Sequence, residues 1–292
     1  MAQLKEIRNR ITSVKNTRQV TSAMKMVSAS KLKKAQDMIV QVKPYERKLH
    51  EIIENLSLGV VEFNSVFFSE QPIEKVLVVV IGSNRGLCGG FNTNVVKYSI
   101  LHAYEKFEYL LKAGKVEFFS IGKQVEKGLN SKGIELFGEA SDLMLNFNVD
   151  EINGFADQLI NLYKEGNFQR IDIVYNRFKN AAVQVLTAEQ FLPVIKPATE
   201  DKESIVLSDF IYEPSKEEIL ESIVPQALKM QLYRILLDSN AAEQGARMTA
   251  MHQATENAND LIKELTKTYN NTRQSAITNE IVEITAGAEA LN

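Results

Sequence analysis

The chain has 292 residues, enough for one large domain or two of ordinary size, and its 34 Lys and Arg against 37 Asp and Glu leave a net charge of -3. With 45% apolar and 24% charged residues it has the balance of an ordinary folded protein, which excludes a disordered or collagen-like chain. The longest aliphatic run, Val76 to Ile81, is far short of the ~20 residues of a bilayer helix, and the lone Cys88 with three scattered histidines (His50, His102, His252) excludes a disulfide framework and a Cys/His metal cluster. The N-terminus opens with charged Lys5, Glu6 and Arg8 rather than an apolar signal segment, so a reducing cytoplasm is the expected location.

Glycine is absent from residues 1 to 58, crowds between Gly59 and Gly166, and recurs only as Gly245 and Gly287, so both ends read as uninterrupted helix. Nine cations (Lys5, Arg8, Arg10, Lys15, Arg18, Lys25, Lys31, Lys33, Lys34) against Glu6 make the first 36 residues +8 and the remainder -11. Apolar residues fall at Leu4, Ile7, Ile11, Val14, then Val20, Met24, Val27, then Leu32, Ala35, Ile39 and Val42, a narrow stripe along a helix that wants a helical partner. Pro44 should bend the helix before Leu49, Ile52, Ile53 and Leu56 resume the pattern; at 1.5 Å per residue, about 54 residues reach roughly 80 Å.

Between the helical ends the spacing predicts a strand at Val76 to Ile81, a helix from Asn92 to Leu111, a strand at Val116 to Ile121, a helix from Lys123 to Lys132, a helix from Asp150 to Lys164, and strands at Ile171 to Tyr175 and Val183 to Leu186. The alternation indicates a mostly parallel, Rossmann-like α/β domain; Thr199 to Ser208 reads as a polar connector. Ser215 and Glu218 form a capping-box signature for a helix running to about Ala288, with Leu220, Ile223, Ala227, Met230, Met251, Ala254, Ala258, Leu261, Leu265 and Tyr269 on its stripe. The two terminal helices should pair antiparallel around the inserted domain, the division being 1-58, 73-207 and 210-290, with about 20 residues (roughly 30 Å) of the second helix left to meet something else.

The most enzyme-like feature is the loop Gly82-Ser83-Asn84-Arg85-Gly86-Leu87-Cys88-Gly89-Gly90, placed between a strand and a helix as phosphate-binding loops are. It matches neither the P-loop nor the G-x-G-x-x-G spacing, so a structural turn is the favoured reading and a buried structural thiol the favoured one for Cys88. The basic N-terminal helix suits an acidic protein partner, a solvated face or a nucleic acid, the last disfavoured because no aromatic residue precedes Tyr45 for base stacking.

Three segments carry a resemblance: Ile7-Arg8 through Ala23-Met24-Lys25-Met26-Val27-Ser28-Ala29-Ser30-Lys31, the loop Arg85-Gly86-Leu87-Cys88-Gly89-Gly90, and the stretch Ser239 to Glu283 with Glu243-Gln244, Ala246-Arg247-Met248-Thr249-Ala250-Met251, Leu261-Ile262-Lys263-Glu264-Leu265, Tyr269-Asn270 and Arg273-Gln274. With Tyr212-Glu213-Pro214, the whole chain resembles the gamma-subunit family of the F-type ATP synthase. The resemblance implies a non-catalytic rotor shaft: a coiled coil inside a ring of alpha and beta subunits, and an α/β domain seated with epsilon on the proton-carrying c ring. It implies that Arg273, Gln274 and Thr278 contact beta, that Arg8, Arg10, Lys25, Lys31, Lys33 and Lys34 face acidic loops of beta, and that Tyr212 and Glu213 form the foot on the c ring. No catalytic, cofactor or metal residue is implied, and no transmembrane segment or nucleic acid. The place implied is the cytoplasmic face of a bacterial plasma membrane, a reading to which the native-looking Met1 adds. Gly245, where the family commonly has Ala, and the order Ser275-Ala276 depart from the pattern, and Gly245 should soften the helix by ~1 kcal/mol. The competing readings are an α/β enzyme with helical arms and a coiled-coil nucleic-acid binder.

Overall fold

The computed structural model describes residues 2–58, 66–68, 72–195, 213 and 215–289. They form two compact units, Met1–Ala29 with Arg247–Asn292, and Ser30–Ala246. Two helices run through both, α1 (Ala2–Leu58) and α6 (Lys216–Glu289). Each contains a proline, Pro44 and Pro225, and continues through it. A proline removes the hydrogen bond to the carbonyl four residues back, here those of Val40 and Glu221, which lie on exposed residues where water can replace it. The start of α6 is one residue later than expected because Ser215 is its cap, the hydroxyl accepting from the Glu218 amide at 3.2 Å.

In the larger unit β1 (Val76–Ile81), β2 (Val116–Ile121), β3 (Leu136–Glu139), β4 (Arg170–Phe178) and β5 (Gln184–Leu192) form one sheet in the order β3-β2-β1-β4-β5. All pairs are parallel except the β4–β5 hairpin. Every residue of β1 is buried, as a central strand covered on both faces requires. Leu77, Val79 and Ile81 face one layer, built from Ile152, Phe155 and Leu159 of α5 (Val149–Lys164), Ile53 and Leu56 of α1, and Leu220, Val224, Leu228, Leu232 and Leu236 of α6. Val76, Val78 and Val80 face the other, formed by Val95, Val96, Ala103 and Phe107 of α2 (Phe91–Lys112) and Val125 and Leu129 of α3 (Lys123–Asn130). This is the period of two that a strand imposes.

Several expected elements differ in extent. The helix expected to reach Lys132 ends at Asn130, because the chain turns through Gly133 at φ +73°, a conformation that favours glycine. The helix expected from Asp150 starts at Val149, since the Asn148 side chain caps it by accepting from the Asp150 amide at 3.1 Å. The last strand is 9 residues long rather than the expected apolar core of four; as an antiparallel edge it needs no continuous apolar run, so Thr187, Glu189 and Gln190 hid its length. Strand β3 and the short helix α4 (Leu143–Asn146) were not anticipated, each being only four residues long.

In the smaller unit the two helices meet antiparallel. Arg8 Nη2 donates to Tyr269 Oη at 2.7 Å, Thr21 Oγ1 lies 2.8 Å from Thr255 Oγ1, and Lys25 Nζ lies 3.2 Å from His252 Nδ1. From the first pair to the last, one helix advances 17 residues while the other retreats by the same number. Positions 4, 7, 11, 14, 18, 21, 25 and 28 of α1 are half-buried or buried, a strict alternation of three and four that defines a coiled-coil seam. The expected stripe was therefore wrong in its middle: Val20 (58%) and Val27 (56%) are exposed, and Arg18, Thr21, Lys25 and Ser28 take the seam. On α6 the seam passes through Ile262, and Leu261 is exposed.

Inside the sheet unit a buried charged cluster fixes α2 to β4. His102 Nε2 lies 2.8 Å from Asp172 Oδ2, Arg170 Nε donates to Asp172 Oδ1 at 2.9 Å, and Phe107 packs edge-on to His102 and under the Arg170 guanidinium. Burial pushes the Asp172 carboxyl up, but the hydrogen bonds from His102 and Arg170 and their charges outweigh it and hold it below the ordinary aspartate value. A lowered carboxyl stabilises the fold above its unfolded-state pKa, and that contribution is lost as pH falls through the folded one.

Two outcomes check this description. Cysteines at positions 21 and 255 should form a disulfide within one chain under mild oxidation, whereas a 20/255 pair should not; equal yields would refute the register. Asp172→Asn should lower stability at neutral pH by about 3 kcal/mol or more and flatten the acid limb of the stability profile. An unchanged acid limb in denaturant titrations would show that Asp172 does not titrate with folding.

Candidate functional site

The strand order reverses beside β1, so the crevice at the carboxyl ends of β1 and β4 is where a doubly wound sheet would place a nucleotide. The glycine-rich loop lies there, and its Ser83 and Asn84 are bonded within the domain. The Ser83 amide donates to Asn92 Oδ1 at 2.9 Å, and Ser83 Oγ donates to the Arg85 carbonyl at 2.7 Å. Asn84 Nδ2 donates to the Ser141 carbonyl at 2.8 Å, while Asn84 Oδ1 accepts from the Lys123 amide at 3.1 Å. The glycines are needed for close approach: a Cβ on Gly82 would stand 2.1 Å from Val125 Cγ2, and one on Gly122 (φ +113°) 2.7 Å from the Gly82 carbonyl oxygen.

Helix α6 packs against this loop. Cys88 (2% exposed), Phe91 and Ala242 are buried together, with Phe178 and Ala246 packed against them. This burial is the one expected for Cys88. Gly245 has a reason the sequence reading missed: a Cβ there would meet Ala181 Cα at 3.2 Å and Phe178 Cε2 at 3.4 Å, so the helix gives up propensity to approach the β4–β5 turn. The chain's own helix thus packs directly against the loop that the enzyme reading needs.

The candidate contact residues divide by unit. In the smaller one, Arg8 and Arg10 are exposed, Arg8 stacking its guanidinium 5.7 Å from the Tyr269 ring, while Lys25 is half-buried in the seam beside His252. Arg273, Gln274 and Thr278 are all exposed near the end of α6, and Thr278 Oγ1 donates to the Gln274 carbonyl at 2.9 Å. The antiparallel register sets Arg273 and Gln274 at the same end of this unit as Arg8. Ile277, Ile281, Val282 and Ile284 follow them, at 48 to 66% exposure. Lys31, Lys33 and Lys34 belong to the larger unit and are exposed. Glu213 is exposed, and Tyr212 lies outside the described residues.

Two clusters escaped sequence reasoning. The His102–Asp172–Arg170 cluster joins residues 70 positions apart and carries no local signal. The polar seam had one: the three-four spacing runs unbroken through Arg18, Thr21, Lys25 and Ser28 if polarity is ignored. Among the described residues no helix is long and apolar enough to cross a membrane.

A family model described as ATP synthase matches residues 3–291. Proteins named ATP synthase gamma chain from Cytophaga hutchinsonii (45% identical, 100% of both chains), Flavobacterium johnsoniae (49%, 100% of both) and Flavobacterium psychrophilum (50%, 100% of this chain and 99% of the relative) are similar throughout. In fold the chain is similar to one chain of the Euglena gracilis mitochondrial ATP synthase OSCP/F1/c-ring structure, with a TM-score of 0.68, 19% identity, and 99% of this chain and 95% of that one covered. A rotor chain of the same enzyme gives 0.67 at 20% identity over 94% and 99%. With full-length identity of 45 to 50% to three such relatives, the chain belongs to the ATP synthase gamma-chain family.

Proposed function

We propose that the chain is the non-catalytic central shaft of a rotary F-type ATP synthase, coupling proton flow through the membrane sector to ATP synthesis or hydrolysis at the beta subunits. The observation that carries this is the full-length identity to gamma chains, with no part of either chain left over. Its partners are the alpha and beta subunits, the epsilon subunit and the c ring, and it lies peripherally on the cytoplasmic face of the plasma membrane. The working division is residues 1–58 and 210–290 as coiled-coil arms and 73–207 as the seated α/β domain.

The geometry supports this reading at two places. Apolar side chains are exposed on both helices of the smaller unit: Val20, Met26 and Val27 on α1, and Ile277, Ile281, Val282 and Ile284 on the part of α6 that runs past its pairing with α1. Such exposed side chains suit a surrounding protein sleeve better than water. Arg273, Gln274 and Thr278 form the beta contact, joined by Arg8, Arg10, Lys25, Lys31, Lys33 and Lys34, and Tyr212 and Glu213 form the foot. A shaft of this kind acts by differential contact: each orientation favours a different conformation of each beta subunit, and turning shifts those populations.

Complexes assembled with this chain should retain alpha and beta subunits through affinity capture, and their absence would overturn the proposal. In such complexes Arg273→Ala and Gln274→Ala should each lower steady-state ATP hydrolysis by ~tenfold or more, because a charge-assisted contact in a water-poor site is worth over 1.4 kcal/mol. The melting temperature of the free chain should hardly move, both side chains being exposed. Wild-type turnover in both variants would show that they touch no beta subunit. Neutralising Lys31, Lys33 and Lys34 together should weaken assembly at low salt but not at high salt, as screening removes the same attraction. Salt-independent assembly of the wild-type complex would mark them as a solvated face.

A further inference from the structure

Arg234 of α6 sits where three parts of the larger unit converge, with its side chain 16% exposed. Its Nε forms a 2.5 Å ion pair with Glu46 Oε1 of α1, closer to a charge contact than to an aligned hydrogen bond. Its Nη2 donates to Glu189 Oε2 of β5 at 2.7 Å, and Nη1 donates to Tyr175 Oη of β4 at 3.3 Å. One turn further along α6, Asp238 Oδ2 stands 3.6 Å from Nη1. Glu189 is itself held, its other oxygen accepting from the fully buried Tyr175 hydroxyl at 2.5 Å.

Burial works against the charge on Arg234, and Glu189, Tyr175 and Glu46 more than offset it. The guanidinium is planar and its donors point in fixed directions, so each partner constrains the angle of the element that carries it. The apolar contacts around it, Ile53, Leu228 and Ile235 against Phe191, favour closeness but not direction. Two continuous helices could roll on such a surface; a fork hydrogen-bonded to both strands of a hairpin and ion-paired to the opposite helix opposes that motion.

We propose that Arg234 is a positioning residue for energy coupling: it locks α1 and α6 to the β4–β5 hairpin so that turning the helices turns the sheet with them. This rests on the shaft reading given above and adds the place where torque passes between the helical arms and the seated domain. Losing the lock lets the helices slip against the sheet. Hydrolysis then continues while less of it reaches the ion-carrying side.

The test uses complete complexes in sealed vesicles, with ATP hydrolysis and ATP-driven proton uptake measured together. Arg234→Gln alone leaves Glu46, Glu189 and Asp238 without their cation, so the deciding variant is Arg234→Gln with Glu46→Gln and Glu189→Gln, which removes the three charges in closest contact, leaves only Asp238 at the edge of the cluster, and keeps amide hydrogen bonding. That variant should assemble and hydrolyse ATP near the wild-type rate, with protons taken up per ATP reduced by about threefold or more, a coupling effect that a merely structural role would not produce. Arg234→Lys, which keeps the charge and loses the fork, should fall between the two. A wild-type ratio of protons to ATP in the assembled triple variant, or in Arg234→Lys should the triple variant not assemble, would overturn the proposal. Failure of the unaltered chain to give proton uptake in these vesicles would instead overturn the shaft reading itself.

Discussion

The antiparallel register of α1 and α6 is the constraint on which the rest depends. It is set by a three-four repeat and pinned by Arg8 on Tyr269, Thr21 on Thr255 and Lys25 on His252. The same two helices supply Ile53, Leu56, Leu220, Val224, Leu228 and Leu232 to the core layer against β1 and β4. In the larger unit these side chains share with α5 the cover of one face of a sheet whose central strand is wholly buried. At about 25 cal/mol per Å² of apolar surface, six aliphatic side chains of this size contribute on the order of 10 kcal/mol, comparable with the stability of a whole domain. The helices are therefore part of the domain's core.

The seam of the smaller unit is apolar at Leu4, Ile7, Ile11 and Val14 but polar in the middle of α1. Arg18, Thr21, Lys25 and Ser28 occupy seam positions while Val20, Met26 and Val27 face outward. A polar seam gives up hydrophobic stabilisation and specifies register, because Thr21 opposite Thr255 and Arg18 opposite Asn259 bond only in one alignment. Apolar residues on the outside have the opposite consequence: they leave stabilisation to be gained when another protein surrounds them. A shaft that must hold its own alignment while sliding its faces past several partners has a use for both.

The crevice at the carboxyl ends of β1 and β4 shows how one architecture can be diverted from its common use. Strand order 3-2-1-4-5 with a glycine-rich turn after β1 is what a nucleotide-binding sheet needs. Here Ser83 and Asn84 are bonded within the domain, and Ala242 and Gly245 of α6 are small enough to let the helix approach Cys88 and Phe178. Much of this was legible beforehand, and the reason is physical. Long helices announce themselves by period, and the buried strands β1 and β2 by continuous apolar runs. The short strand β3 and the polar edge strand β5 carry too few apolar residues to be bounded. The seam's middle was misread because apolarity was followed where spacing was the better guide, and Gly245 because a close approach 64 residues away in sequence leaves no mark nearby. The roles proposed for Arg273, Gln274 and Thr278 come only from resemblance, since three exposed polar residues on a helix carry no signal of their own.

The central claim is that this chain turns. Cys88 is 2% exposed, so a cysteine introduced at the exposed Lys132 offers the accessible thiol for attaching a bead to the α/β domain of single complexes held by their beta subunits. During ATP hydrolysis the bead should rotate in one direction in discrete steps, at a rate that follows ATP concentration. Beads that stay fixed on complexes shown to hydrolyse ATP would contradict the account.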